Sequence, residues 1–203
     1  ISPGCNVIVT NTLYHADMES DVRTVIDELI AERAPWYYKN GVPQLVLRAC
    51  LNGLLGYRHT VELANSLVNL SAERIFTDVG QQLAKNVRVS GIQNIPSHGP
   101  VLIVCNHPTG IADGLILHNA LLARRDDIYF FANRDITRVF PQMESMIAPV
   151  EWRPEKRRHT DMRHLMQYVR DATANGRIGI IFPSGRLATV SYTHLTLPTI
   201  VSV

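Results

Sequence analysis

Apolar residues fall into two kinds of run, and the change from one kind to the other divides the chain. Through residues 17–85 they recur every three or four positions, the spacing of a helix face. Val22, Val25, Ile26, Leu29 and Ile30 mark one helix, starting in the acidic stretch Asp17 to Asp21 and ending at Pro35. Leu45, Val46, Leu47, Leu51, Leu54 and Leu55 mark a second, closed by Gly56. Leu63, Leu67, Leu70, Ile75, Val79 and Leu83 mark a third, from Val61 to Lys85, which pairs with the second as a hairpin. From Val87 onward short apolar runs at 87–90, 101–105, 128–132, 146–150 and 178–182 read as strands. The runs from Ile111 to Leu122 and from Leu165 to Ala174 read as helices between them. Residues 1–14 have no clear period and predict extended chain. Alternating strands and helices predict an α/β fold: a mixed, mostly parallel sheet flanked by helices, with an N-terminal helical layer. The division this gives is 1–86 for the helical region and 87–190 for the core.

The stretch from Val101 to Gly114 carries the candidate chemistry. Its buried-strand run stops at Asn106-His107-Pro108, passes Gly110, and resumes as an apolar helix from Ile111. Strand ends opening into helices are where α/β folds expose side chains on a rigid support. His107 falls at the strand exit and Asp113 near the helix start. A carboxylate returned to the imidazole by that turn would fix its tautomer and stabilise its protonated form, making His107 a candidate general base.

Composition narrows the class. The chain has 203 residues, 46% apolar and 19% charged, enough for one globular domain with a sizeable core. A net charge of +2, with basic residues interleaved among acids, gives no support to nucleic-acid binding. Cys5, Cys50 and Cys105 lack metal or redox spacing, and no clustered ligands call for a metal. Cys50 and Cys105 lie in apolar runs and read as reduced core residues, pointing to a reducing compartment. No apolar run reaches the ~18–20 residues that span a bilayer. The chain starts at Ile1 with no basic-then-apolar leader, as a fragment would.

Three segments each carry two readings. Trp36-Tyr37-Tyr38 is an aromatic cluster at the core edge or an interfacial anchor. The N-terminal hairpin is a layer packed on the core or a membrane-surface platform. The charged run from Pro154 to His164 is a solvated face, or it draws anionic lipid through Lys156, Arg157, Arg158 and Arg163. His59 and His98 read as surface residues.

The segment Asn106-His107-Pro108-Thr109-Gly110-Ile111-Ala112-Asp113-Gly114 resembles the His…Asp motif of the glycerolipid acyltransferases, which include 1-acyl-glycerol-3-phosphate and other lysophospholipid acyltransferases. The usual spacing leaves four residues between His and Asp; here there are five, as in a branch reading Asn-His-Pro-x-Gly-x-x-Asp-Gly. Met146 to Arg153 resembles the second motif, an apolar strand followed by an arginine on the acceptor phosphate, which maps to Arg153. Phe182-Pro183-Ser184-Gly185-Arg186 resembles the third, usually Phe-Pro-Glu-Gly, with Ser184 in place of the glutamate. In that motif glycine lets backbone approach the acceptor, so Ser184, Gly185 and Arg186 suit a phosphate oxyanion. Arg134, at another strand exit, is placed to meet an anionic head group or to pair with Asp135 or Asp126.

The resemblance implies transfer of a fatty acyl group from acyl-CoA or acyl carrier protein to the hydroxyl of a lysophospholipid, with His107 as base and Asp113 orienting it. It implies no bound cofactor, and a peripheral place at the cytoplasmic face of a membrane. Rival readings are an acyltransferase for a lyso-ornithine-type lipid, which the wider spacing favours, and a non-catalytic lipid-binding relative. A hydrolase would need a nucleophile, and Ser184 is not in a Gly-x-Ser-x-Gly elbow. Residues 191–203 resemble a peptide that recurs when adapter DNA is translated at the end of a read. They are expected to be non-native and the acyltransferase core incomplete.

Overall fold

The computed structural model describes residues 22–38, 41–54, 56–84, 86–183 and 199–202. The chain divides into two compact units, Ile1–Leu70 and Ser71–Val203. The predicted extended chain over 1–14 and helix start at Asp17 to Asp21 lie outside the described residues.

The first unit is helical: α1 (22–33), a 3-10 turn Pro35–Tyr38, α2 (Val42–Leu54) and α3 (Tyr57–Leu67). Asp27 on α1 ties three of these together. Its carboxylate accepts from the Tyr38 hydroxyl at 2.8 Å and from the Tyr57 hydroxyl at 2.7 Å. Burial and that acceptor push both phenols above their ordinary range. Trp36, Tyr37 and Tyr38 meet edge to face. Leu45, Val46, Leu47 and Leu54 on α2 are exposed. Cys50 is exposed as well, not a core residue, because none of the described side chains of α2 is buried.

The third predicted helix is two. The chain leaves helical geometry after Leu67, and Ser71 caps a new helix, α4 (Ala72–Leu83), its Oγ accepting from the Arg74 N–H at 3.4 Å. α4 belongs to the second unit, packed on α5 (Ile111–Leu121). Residues 87–90 form no strand, and Val87 and Val89 are exposed.

The second unit is an α/β sheet. Its parallel strands are β1 (Val101–Val104), β2 (Ile128–Asn133), β3 (Ile147–Val150) and β4 (Ile178–Ile181), in the order β3-β2-β4-β1. β5 (Thr199–Ser202), in the segment set apart by the sequence, pairs antiparallel with β1. Between β2 and β3 run α6 (Asp135–Val139) and a 3-10 turn Pro141–Ser145; α7 (His159–Ala174) joins β3 to β4. Pro149 falls in β3, an edge strand, where a missing N–H is tolerated.

β2 shows how both faces are covered. Phe130 stacks on Phe76 of α4 at 4.9 Å and lies under Gly114 of α5. Its neighbours Tyr129 and Phe131 point the other way, to Leu165, Tyr168 and Ala172 of α7. Successive strand residues face opposite sides, so α4 and α5 cover one face and α7 the other. Ile128, Ile178, Ile180 and Ala148 are fully buried between the layers.

At the end where the parallel strands begin, Arg125 gathers the connections. Its guanidinium donates to the carbonyls of Gly99 (2.7 Å), Pro96 (3.3 Å) and Gly176, and to the carboxylate of Asp127. That contact holds the Asp127 carboxyl below its ordinary range.

Candidate active site

The opposite end of the sheet, where the parallel strands finish, carries the candidate site. β1 and β4 are neighbours, and their ladder continues one step past β1, with the Cys105 N–H donating to the Ile181 carbonyl at 3.0 Å. The chain then breaks at Asn106-His107-Pro108. Gly110 takes φ 73°, ψ −132°, a conformation open to glycine and strained for other residues, and α5 begins at the next position. The Asp113 N–H donates to the Gly110 carbonyl at 3.0 Å. Asp113 therefore falls in the first helical turn, where the exposed N–H groups and the helix dipole favour a carboxylate.

This turn brings Asp113 Oδ2 to 3.2 Å from His107 Nδ1, with the side chains 17% and 21% exposed. The two atoms are in close contact, without an aligned hydrogen bond at the buried Nδ1. Thr109 holds the carboxylate at both oxygens. Its N–H donates to Oδ2 at 2.9 Å, and its hydroxyl donates to Oδ1. Phe182, leaving β4, stacks on the imidazole with centroids 4.3 Å apart and planes 28° from parallel. With a carboxylate at Nδ1, Nε2 is the nitrogen left to exchange a proton with a substrate.

The nearby thiol is held in its protonated form. Burial, and secondarily the charge of Asp113, push Cys105 up to about 11, so it stays protonated at neutral pH.

The other predicted site residues lie further along the same edge. Arg134 follows β2 and Arg153 follows β3, two and three strands from β1. At ladder spacing those separations are roughly 10 and 14 Å. Arg134 donates to Asp161 of α7 at 2.8 Å, a partner outside its own loop. Its side chain is 40% exposed. Arg153 is buried at 7% exposure. Its guanidinium meets both oxygens of Glu151, at 2.9 and 3.0 Å, and lies 3.5 Å from Asp135 Oδ1. Arg153 holds the Glu151 carboxyl below its ordinary range. Ser184, Gly185 and Arg186 lie outside the described residues; the described chain reaches this edge at Phe182 and Pro183.

Thr109 and Phe182 stand within the motifs, but the sequence assigns them no role. Nothing in the apolar pattern shows that Phe182 meets His107, because the pattern does not say which strands are neighbours. Glu151 was the more legible partner. Two residues apart on extended chain, it and Arg153 share a side.

Among the described residues no three His, Cys, Asp or Glu side chains cluster as a cation site. Residues 86–198 match the family described as Acyltransferase. No curated protein and no solved structure gives a significant match.

Proposed function

The chain belongs to the acyltransferase family, and from that premise we propose that it moves a fatty acyl group from an acyl thioester to the hydroxyl of a lysophospholipid such as 1-acyl-glycerol-3-phosphate. The observation that carries the reading is the His107–Asp113 contact at the end of the sheet where the parallel strands finish. His107 takes the proton of the acceptor hydroxyl as its oxygen attacks the thioester carbon. Collapse of the tetrahedral intermediate breaks the carbon–sulfur bond, and the imidazolium returns the proton to the departing thiolate. Base help of this kind is worth ~10²–10⁴ in rate. Asp113 stays charged throughout and balances the imidazolium.

Coenzyme A or acyl carrier protein supplies the thioester, and no bound cofactor enters the scheme. The acceptor's phosphate meets Ser184, Gly185 and Arg186, which follow Pro183 in the chain, with Arg134 as the exposed cation on the same edge. Arg153 stands where the second motif places its phosphate-holding arginine, with its guanidinium already shared between Glu151 and Asp135. Both substrates carry long acyl chains, which supports a peripheral place at the cytoplasmic face of a membrane. Among the described residues no helix is long and apolar enough to cross one. The five-residue spacing between His107 and Asp113 favours a second acceptor, a lyso-ornithine-type lipid, within the same chemistry.

The test uses the full-length protein, an acyl thioester, and lysophosphatidic acid or an amino-acid lysolipid. Thiol release and lipid product are followed for wild type and His107→Ala. The expected result is a new diacyl product from one acceptor and a loss of at least ~100-fold in the variant. Equal rates in both proteins would remove His107 from the mechanism. Absence of turnover with either acceptor would leave a lipid-binding relative.

A further inference from the structure

We propose that Thr109 is a positioning residue for acyl transfer: by gripping both oxygens of Asp113 it fixes which oxygen faces His107, and so fixes the ring. The proposal rests on the reading of His107 as base.

Asp113 projects from the first turn of α5, and its carboxylate can rotate about the Cβ–Cγ bond unless both oxygens are engaged. Thr109 engages both. The N–H holds Oδ2, the oxygen 3.2 Å from His107 Nδ1, and the hydroxyl holds Oδ1. Oδ2 is thus shared between Thr109 and His107, and Oδ1 is turned away from the ring. The N–H is available from any residue but proline here, since Pro108 and Gly110 shape the backbone on either side. The hydroxyl is what the side chain adds. Hydrogen bonds to a charged oxygen are among the stronger ones, so the pair makes a stiff two-point mount.

Among the described residues two contacts orient the imidazole. Asp113 Oδ2 approaches Nδ1 to 3.2 Å, and Phe182 stacks on a face, which limits tilt but permits rotation in the ring plane. The in-plane direction follows the carboxylate, and the carboxylate follows Thr109. Thr109 itself is exposed at the turn, outside the core. Its side chain can be exchanged without opening a cavity. No proton passes through Thr109: the hydroxyl keeps its hydrogen, Asp113 stays ionised, and His107 alone exchanges the substrate's proton.

The experiment compares Thr109→Val and Thr109→Ser in the full-length protein, each with and without His107→Ala. The expected result for Thr109→Val is a fall in kcat of roughly 10- to 100-fold, the worth of one hydrogen bond to a charged group. KM for both substrates should hold within about 2-fold and Tm should be unchanged, as expected of a change acting on the base and not on binding. Thr109→Ser should restore kcat to within about 3-fold of wild type. In the His107→Ala background Thr109→Val should have no further effect, because the residue acts only through the imidazole. Wild-type kcat in Thr109→Val, a loss that serine does not rescue, or the same loss without His107 would each overturn the proposal. Full activity in His107→Ala would overturn the base assignment and this proposal together. An inactive His107→Ala beside an unimpaired Thr109→Val would overturn this proposal alone.

Discussion

Phe182 presents a flat face to an imidazole, and shape is what it contributes. Phe182→Leu keeps the apolar bulk and removes the plane. Ring stacks of this kind are worth about 0.5–1.5 kcal/mol, so kcat should fall about 2- to 10-fold with Tm nearly constant. Steady-state kinetics beside a thermal melt decides it; an unchanged kcat would mean that the stack is incidental. At this scale the candidate pair is readable in the sequence and its supports are not. His107 and Asp113 stand out because an apolar strand stops at a polar turn and restarts as a helix, a change visible within fourteen residues. The Phe182 contact depends on β4 lying beside β1, a non-local fact. The surroundings of Arg134 are hidden for the same reason: Asp161, to which it donates, comes from α7 and not from its own loop.

Among the elements, α4 and α5 approach closely at Gly80. A Cβ at Gly80 would lie 2.6 Å from the Leu115 carbonyl oxygen and against Asn119, whose amide already bridges to the Phe76 and Leu115 carbonyls. An exposed helical Gly→Ala would stabilise by up to ~1 kcal/mol. Here the clash with backbone reverses the sign, and Gly80→Ala should destabilise by about 1–3 kcal/mol. Chemical denaturation measures this, and a stabilised variant would show that the helices separate freely. The same region shows where periodicity misleads. Leu67, Leu70 and Ile75 keep helical spacing straight across a real break, so the only sign of a second helix was the cap chemistry of Ser71. At 87–90 the alternation of Val87 and Val89 is present, but neither side is buried and no strand pairs with it. Alternation describes one side of a pairing; a neighbour must supply the other. The parallel strands were legible because they are buried on both faces and read as unbroken apolar runs.

For the molecule as a whole, His118 links stability to pH. It is 1% exposed on α5, packed against Phe76 at 5.0 Å, and its Nδ1 has no hydrogen-bond partner. Burial lowers its pKa, while the charge of Glu73 works the other way. An unfolded histidine titrates near ~6.5. Below that pH the unfolded chain takes up a proton that the folded chain resists, so stability falls on acidification from about 6.5 until the folded form also protonates. Asp127 and Glu151 are depressed carboxyls, whose contribution is kept above the unfolded carboxylate range and lost only at lower pH. Between pH 7.5 and 5.5 the His118 effect therefore stands apart. Tm should drop over that window in wild type and much less in His118→Leu; parallel slopes would refute the assignment. The strand order has a consequence in time as well. β4 is the last of the parallel strands along the chain yet lies between the first two, pairing residue 178 with 101 on one side and 128 on the other. Until it inserts, β1 and β2 have no common neighbour, and the histidine turn has no aromatic surface to rest on. A ribosome that has delivered His107 and Asp113 has not yet delivered the surroundings that the proposed chemistry needs. Competence should come late and all at once, with the closing of the sheet.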